Sequence, residues 1–202
     1  MQHEIQGKLF PDRDRKKKFD RLFYALLPDS ATAWRIAQAA QQFQRDHHID
    51  NKLLEVTRSH ISIQLVGDYK KPMPERFVFA ARMAAARIIL PTVDVVLDEI
   101  GSFEGRPAAH GKPPRRPLVM QAQGDGLYTL FDCLGGAMLQ NGLRPNQGFT
   151  PHLTVSYGPQ RVPFQRVSPI RFVGGELVLI HSEVGLTLYH VLGRWPLRGR
   201  MN

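Results

Sequence analysis

The sequence has a single cysteine, Cys133, among 202 residues. One cysteine cannot form an internal disulfide or a cysteine-based zinc site, which excludes disulfide-stabilised domains and zinc ribbons. Long apolar runs are also lacking, because Pro91, Asp94 and Asp98 break the longest stretches well short of the about 20 residues that a membrane span needs. The first residues contain no apolar segment of the kind that a secretory signal has, so we expect a cytoplasmic protein.

Acidic residues are scarce relative to basic ones. The chain has 27 Lys and Arg against 18 Asp and Glu, which gives a formal net charge of +9. Such an excess favours a polyanionic partner, with nucleic acid ahead of a membrane surface. Residues 1–18 hold six of the basic residues and no periodic apolar pattern, and we interpret them as a basic N-terminal tail before one domain spanning 19–202.

Short apolar runs bounded by turn residues alternate with helical patterns along the chain. Helices are predicted after Asp29 or Ser30, from Pro74, and after the turn 124–126. The predicted strands lie near 22–27, 60–65, 93–100, 118–123 and 152–157, followed by a closing hairpin of 171–181 and 186–192. This mixture predicts an α+β fold with mainly antiparallel sheet.

A strand, a helix and a strictly alternating second strand occur in that order twice. Leu22 lies 38 residues before His60 in the first unit, and Leu118 lies 34 residues before His152 in the second. A degenerate internal duplication is the simplest explanation. We therefore expect two lobes related by a rough two-fold axis, each with a mainly antiparallel sheet and outer helices, and a cleft between like strands.

The alternating strand of each unit carries a His-x-Ser/Thr pattern. Residues i and i+2 of a strand point to the same face, so each strand presents an imidazole and a hydroxyl in front of packed aliphatic residues. The residues predicted to face the cleft are His60, Ser62 and Gln64 in the first strand and His152, Thr154 and Ser156 in the second.

Two imidazoles and two hydroxyls suit phosphoryl chemistry on a ribose without a metal. Because the unperturbed pKa of histidine is about 6.5, one imidazole can accept a proton while the other donates one at neutral pH. The Ser62 and Thr154 hydroxyls can donate hydrogen bonds to the non-bridging oxygens, where negative charge builds. A lone histidine on a strand is usually structural, but of the eight histidines only His60 and His152 have Ser or Thr two residues later.

The two motifs resemble the paired motifs of the 2H phosphoesterase superfamily. They read His-Ile-Ser-Ile at 60–63 and His-Leu-Thr-Val at 152–155, about ninety residues apart. The opening Arg-Leu-Phe-Tyr-Ala-Leu-Leu-Pro at 21–28 is similar to the first strand of the LigT branch of that superfamily. The resemblance covers about residues 20–197, and its motifs are specific as a pair.

The resemblance implies a bilobal α+β fold and metal-independent, cofactor-free hydrolysis of 2′,3′-cyclic phosphates at RNA ends to 2′-phosphates. Some members of the superfamily also join or cleave 2′–5′ linkages in RNA, and others act on small cyclic-phosphate nucleotides. Carried over by position, His152 activates water and His60 protonates the leaving 3′-oxygen, although the residues by themselves leave that order open. Ser62 and Thr154 then hold the phosphate.

The chain departs from the LigT pattern at two places. Ser62 stands where threonine is commoner, and its hydroxyl keeps the same chemistry. Many LigT relatives carry a basic residue shortly after the second motif, where this chain has Ser156 and Tyr157. The resemblance therefore implies no particular phosphate or base contact from that strand and no particular substrate length.

Further substrate contacts are predicted from aromatic and basic side chains. Tyr24 or Phe23 can stack on a nucleobase at the cleft rim, with a place in the core as the alternative for both. A Pro-rich loop can follow an RNA backbone or be a solvated loop, and its basic residues are Arg106, Lys112, Arg115 and Arg116.

Two other functions remain open at this point. The first is a basic RNA-binding module without catalysis, in which the histidines are structural. The second is a phosphodiesterase with the same chemistry whose substrate is a small cyclic nucleotide. The predicted partners are thus RNA ends or small cyclic-phosphate nucleotides, and neither a membrane nor a metal site is predicted. The adjacent His47 and His48 lie in a polar loop with no further ligand at useful spacing.

Overall fold

A computed structural model describes residues 19–105, 113–186 and 188–199 of the chain. The predicted tail 1–18 and two residues of the predicted basic loop, Arg106 and Lys112, lie outside them. In chain order the elements are β1 (Phe19–Leu26), α1 (Ser30–Asp46), a 3₁₀ turn (Val56–Arg58), β2 (Ile61–Lys70), α2 (Glu75–Ala85), β3 (Val93–Ser102), β4 (Arg116–Gln123), α3 (Asp125–Gln140), β5 (His152–Gly158), β6 (Gln165–Gly174), β7 (Glu176–Glu183) and β8 (Leu188–Pro196).

The three helices begin where the sequence predicts them. The Asp29 carboxylate accepts a hydrogen bond from the backbone N–H of Thr32 at 2.8 Å, which satisfies one of the free donors in the first turn of α1. Helix α2 begins directly after Pro74. Helix α3 begins after Gly124, which has a φ of +147° and lies so close to the carbonyl oxygen of Asp94 that a Cβ would collide with it.

All eight strands belong to one sheet, in the order β6-β3-β4-β5-β2-β1-β7-β8, and every neighbouring pair is antiparallel. The α+β prediction with antiparallel sheet is confirmed. The prediction of two separate sheets is wrong, because the two groups of four strands are joined where Ile61 of β2 pairs with Leu153 of β5. That pair continues the sheet from one half into the other.

The internal duplication is visible in the topology. In the first unit β2 pairs with β1 after α1, and in the second β5 pairs with β4 after α3. The two motif strands, β2 and β5, therefore lie next to each other in the middle of the sheet. This arrangement brings together two segments about ninety residues apart in the chain.

The C-terminal region contains three strands rather than the predicted two. The stretch expected to be one strand, 171–181, divides at Gly174 and Gly175 into the end of β6 and the start of β7. Strand β6 pairs with β3 at one edge of the sheet, whereas β7 pairs with β1 in the other half. The hairpin of β7 and β8 around Gly185 is as predicted, and this glycine has a φ of +94°.

The helices cover one face of the sheet and bury the main core. Buried residues of all three helices join this core with Leu22, Leu26, Ile61 and Ile63 of the sheet. On the opposite face a smaller cluster contains Phe23, Ala25, Val178 and Ile180. Within the described residues, no helix has the length and apolar character needed to cross a membrane.

Candidate active site

The two motif strands place both histidines and both hydroxyls around one point of the sheet. Ile61 and Leu153 pair there and are buried toward the helices. Continuing this antiparallel register by one residue in each direction sets His60 opposite Thr154 and Ser62 opposite His152. All four side chains therefore belong to the face away from the helices, where Ser62 is exposed and the other three are half-buried.

Both imidazoles are held in the same way by their own chain. The Nδ1 atom of His60 lies 2.7 Å from the carbonyl oxygen of Arg58, and that of His152 lies 2.7 Å from the carbonyl oxygen of Thr150. Because a carbonyl oxygen only accepts, Nδ1 carries the hydrogen in both rings. In each neutral imidazole the lone pair is then on Nε2, the atom left for proton transfer.

The pKa of His60 is lowered to about 4. Burial of the ring is the main cause, and the electrostatic effects of Arg58 and His152 lower the pKa further, against the hydrogen bond to the Arg58 carbonyl. His60 is therefore neutral at pH 7. The pairing of Ile61 with Leu153 sets the two imidazoles on the same face of adjacent strands.

Aromatic rings surround both imidazoles. The centroid of the His60 ring lies 5.1 Å from that of Phe23 and 5.7 Å from that of Tyr189, and the His152 ring lies 4.9 Å from that of Phe103. Phe23 is on the site face as predicted, but only 4% of it is exposed. It therefore supports the imidazole and offers little surface to a nucleobase.

Gln64 does not face the site, contrary to the prediction. The pairing of β1 with β2 shifts by one residue at Ile63, which breaks the alternation of side chains. Gln64 is consequently fully buried on the helix side, where its amide donates to the Phe131 carbonyl at 3.3 Å and accepts from the Asn146 backbone N–H at 2.8 Å.

Ser156 departs from the prediction in the same manner. The pairing of β4 with β5 shifts by one residue at Val155, so Ser156 points to the helices and is fully buried. Its hydroxyl accepts a hydrogen bond from the Gln44 side chain of α1 at 3.0 Å. The next residue, Tyr157, is exposed on the site face instead.

Tyr24 is a core residue rather than a rim residue. Alternation along β1 places it on the helix face with Leu22 and Leu26, and it is fully buried. Its hydroxyl donates to the Ala81 carbonyl of α2 at 2.6 Å, and burial raises its pKa. Tyr24 therefore cannot stack on a substrate.

Several residues of the site face were not found by sequence reasoning. The Arg58 guanidinium lies 4.5 Å from the centroid of the Tyr189 ring, and its Nε is buried without a hydrogen-bond partner among the described residues. Tyr189 and Phe103 come from β8 and from the residue after β3. Only the position of Arg58, two residues before His60, was a usable signal.

The remaining histidines of the sheet lie beside carboxylates in other parts of the protein. His181 Nε2 lies 3.0 Å from an oxygen of the buried Asp20, and His190 Nε2 lies 3.0 Å from an oxygen of Glu183, which also pairs with Lys71. Some of these groups line a cavity of about 860 Å³ beside α2. None of the residues around that cavity belongs to the two motifs.

Comparison with known proteins places the fold. No family model matches this chain, and no curated protein matches it in sequence. The chain is similar in structure to E. coli LigT complexed with ATP, with a TM-score of 0.63, 19% identity, and coverage of 89% of this chain and 99% of that one. E. coli LigT complexed with 3′-AMP is similar with a TM-score of 0.64, and TT0787 of Thermus thermophilus with a TM-score of 0.61. Each of these two is 20% identical to this chain, over 89% of this chain and 98% of the other. The predicted resemblance to LigT is thus confirmed for the fold.

Proposed function

We propose that this protein is a metal-independent phosphodiesterase that hydrolyses 2′,3′-cyclic phosphates at RNA ends to 2′-phosphates. One observation carries the proposal: His60 and His152 lie on adjacent strands at the centre of the sheet, each with Nδ1 bound to a backbone carbonyl. Each therefore offers Nε2 for proton transfer, and a hydroxyl of the opposite strand lies across from each ring.

The reaction needs one proton removed and one supplied. A water oxygen attacks the phosphorus while its proton passes to Nε2 of one histidine. The bond from phosphorus to the 3′-oxygen breaks, and that oxygen takes a proton from Nε2 of the other histidine. The product is a 2′-phosphomonoester and a free 3′-hydroxyl, and two groups on opposite sides of the phosphorus fit this in-line displacement.

The order of the two histidines in this proposal is the one that the resemblance implies. With His152 as base and His60 as acid, as the resemblance implies, His60 must be protonated in the complex. The anionic phosphate supplies the negative charge that raises its pKa from about 4 toward that state. The hydroxyls of Ser62 and Thr154 donate to the non-bridging oxygens as charge develops on them.

The structural comparisons support a nucleotide as the substrate. The LigT structures similar to this chain were determined with ATP and with 3′-AMP. A nucleotide bound across the face that holds His60 and His152 would meet the aromatic rings of Phe103 and Tyr189. Such rings are common contacts for unpaired bases.

The test is hydrolysis of adenosine 2′,3′-cyclic phosphate with excess EDTA. We expect turnover by the wild-type chain and a loss of about 10²–10⁴-fold in kcat for His60→Asn and for His152→Asn. His48→Asn is the matched control, because His48 is exposed in the turn after α1 and its φ of 51° is one that asparagine tolerates.

Full activity in either motif variant would overturn the proposal. Absence of turnover in the wild-type chain on cyclic phosphates of mononucleosides and of oligonucleotides would do the same. RNA binding in that case would favour the non-catalytic module.

A further inference from the structure

Arg115 and Tyr157 form a pair on the site face beyond the two histidines. The Arg115 guanidinium lies 4.2 Å from the centroid of the Tyr157 ring, and both side chains are exposed. The aromatic rings that contact the imidazoles are those of Phe23, Tyr189 and Phe103. Tyr157 contacts neither imidazole and follows Thr154 by three residues, about 10 Å along a strand. The pair therefore lies outside the reacting centre.

The register shift at Val155 is what turns Tyr157 toward the site face. Without that shift Ser156 would point to this face and Tyr157 would enter the core beneath α1. With it, Ser156 is bonded to Gln44 of α1, and 38% of Tyr157 is exposed. Because the hydrogen bond to Gln44 holds Ser156 on the helix side of β5, the next residue, Tyr157, points to the opposite side of the strand.

Arg21 of β1 forms an ion pair with Asp68 of β2. Its guanidinium donates two hydrogen bonds of 2.7 Å to the Asp68 carboxylate, which is the main cause of its raised pKa. The phenol groups of Tyr157 and Tyr189 also raise the pKa of Arg21. Tyr189 also contacts the His60 ring.

We propose that Arg115 and Tyr157 bind the nucleotide that precedes the cyclic-phosphate terminus of an RNA substrate. The inference rests on the proposed function and extends it to the substrate class, an RNA end of at least two nucleotides. The free face of the Tyr157 ring stacks on the base, because every base has a π-face and stacking tolerates any sequence. Arg115 contacts the phosphate that links the two nucleotides.

Charge supports this role for Arg115. Among the described residues no carboxylate forms an ion pair with it, whereas the neighbouring Arg116 and Arg161 both pair with Glu104, at 3.7 Å and 3.1 Å. An exposed guanidinium held over an aromatic ring is positioned without being neutralised. It can therefore give its charge to the phosphodiester that links two nucleotides, a group that a mononucleoside cyclic phosphate lacks.

The test compares kcat/KM for uridine 2′,3′-cyclic phosphate and for the uridine dinucleotide that ends in the same cyclic phosphate. The wild-type chain is expected to prefer the dinucleotide by at least about tenfold. Tyr157→Ala should reduce that ratio by about tenfold, and Tyr157→Phe should keep it because the ring remains. For the dinucleotide, Arg115→Gln should reduce the slope of log(kcat/KM) against log salt concentration by about 0.7.

Tyr128→Ala is the control, since Tyr128 is an exposed tyrosine of α3 on the helix side of the sheet. An equal effect of Tyr157→Ala on both substrates, or no dinucleotide preference in the wild-type chain, would overturn the inference. If neither substrate is turned over, the proposed function fails. Binding of a short RNA by the Tyr157→Ala and wild-type chains, measured by fluorescence anisotropy, still tests the subsite, and equal affinities would reject it.

Discussion

Gln64 and Ser156 occupy equivalent places in the two repeats, each fully buried and bonded to a helix of the other repeat. Gln64 in β2 donates to Phe131 of α3, and Ser156 in β5 accepts from Gln44 of α1. Each residue follows a shift in strand pairing just after a motif. Each helix thus contacts the motif strand of the other unit: α3 contacts β2, and α1 contacts β5.

Ser156→Ala is expected to destabilise the protein, because it leaves the buried amide of Gln44 without its partner. The cost is about 1–3 kcal/mol of unfolding free energy, measured by urea denaturation. Ser62→Ala is the matched control from the equivalent strand: Ser62 is exposed and makes no hydrogen bond within the described residues, so its effect should stay within about 0.5 kcal/mol. Equal losses of unfolding free energy in the two variants would contradict the burial of Ser156 on the helix side after the register shift at Val155.

Thr154→Val should reduce activity while leaving the fold intact. The substitution keeps the branched shape on β5 and removes only the hydroxyl that lies across from His60. If that hydroxyl stabilises developing charge on the phosphate, kcat for a cyclic phosphate falls by about 10²–10³-fold. Thr154→Ser is the control and should retain most activity. A Thr154→Val enzyme with wild-type kcat would remove Thr154 from the proposed mechanism.

Burial of the His60 imidazole makes the stability of the protein depend on pH. The pKa of this ring is about 4 in the folded chain and about 6.5 in the unfolded chain. Between these values the unfolded state binds more protons, so stability is full above pH 6.5 and is lost as the pH falls toward 4. The loss attributable to His60 is up to about 3 kcal/mol.

Urea denaturation of the wild-type chain and of His60→Asn at pH 7 and pH 4.5 checks this expectation. The wild-type chain should lose more stability between the two pH values than the variant, and the difference isolates the contribution of residue 60. A parallel loss in both proteins would show that His60 titrates near its ordinary pKa.

The sequence predicted the elements well and the orientation of side chains only in part. Alternation from His60 to Ser62 and from His152 to Thr154 holds, so the two motifs were placed correctly on one face. It fails one residue later, because a register shift depends on how a neighbouring strand pairs, and the strand itself gives no sign of it.

Contacts between residues far apart in the chain could not be predicted from the sequence either. Tyr189 contacts His60 only because β8 pairs with β7, and the chain passes from the edge strand β6 to β7 in the other half of the sheet after Gly174. Apolar residues stand on both sides of Gly174 and Gly175, so the stretch 171–181 resembled one long strand. Long-range strand order is decided by packing of the whole sheet rather than by local pattern.

Arg58 is expected to hold down the pKa of His60 through its charge. The Nδ1 atom of His60 is bonded to the backbone carbonyl of Arg58, so a change of the Arg58 side chain leaves that hydrogen bond in place. Arg58→Gln should therefore raise the pKa of His60, whereas Arg58→Lys, which keeps the charge, should raise it less. In both variants the pKa stays below about 6.5, because burial is the larger cause.

Titration of the imidazole resonances by NMR, assigned with His60→Asn, measures these pKa values. Addition of inorganic phosphate to the wild-type chain should raise the pKa of His60 as well, since an anion at the site favours the charged ring. Identical titration curves for the wild-type, Arg58→Gln and Arg58→Lys chains would show that the charge of Arg58 does not affect the pKa of His60. The low pKa would then be due to burial alone, and the acid role of His60 would depend entirely on the bound phosphate.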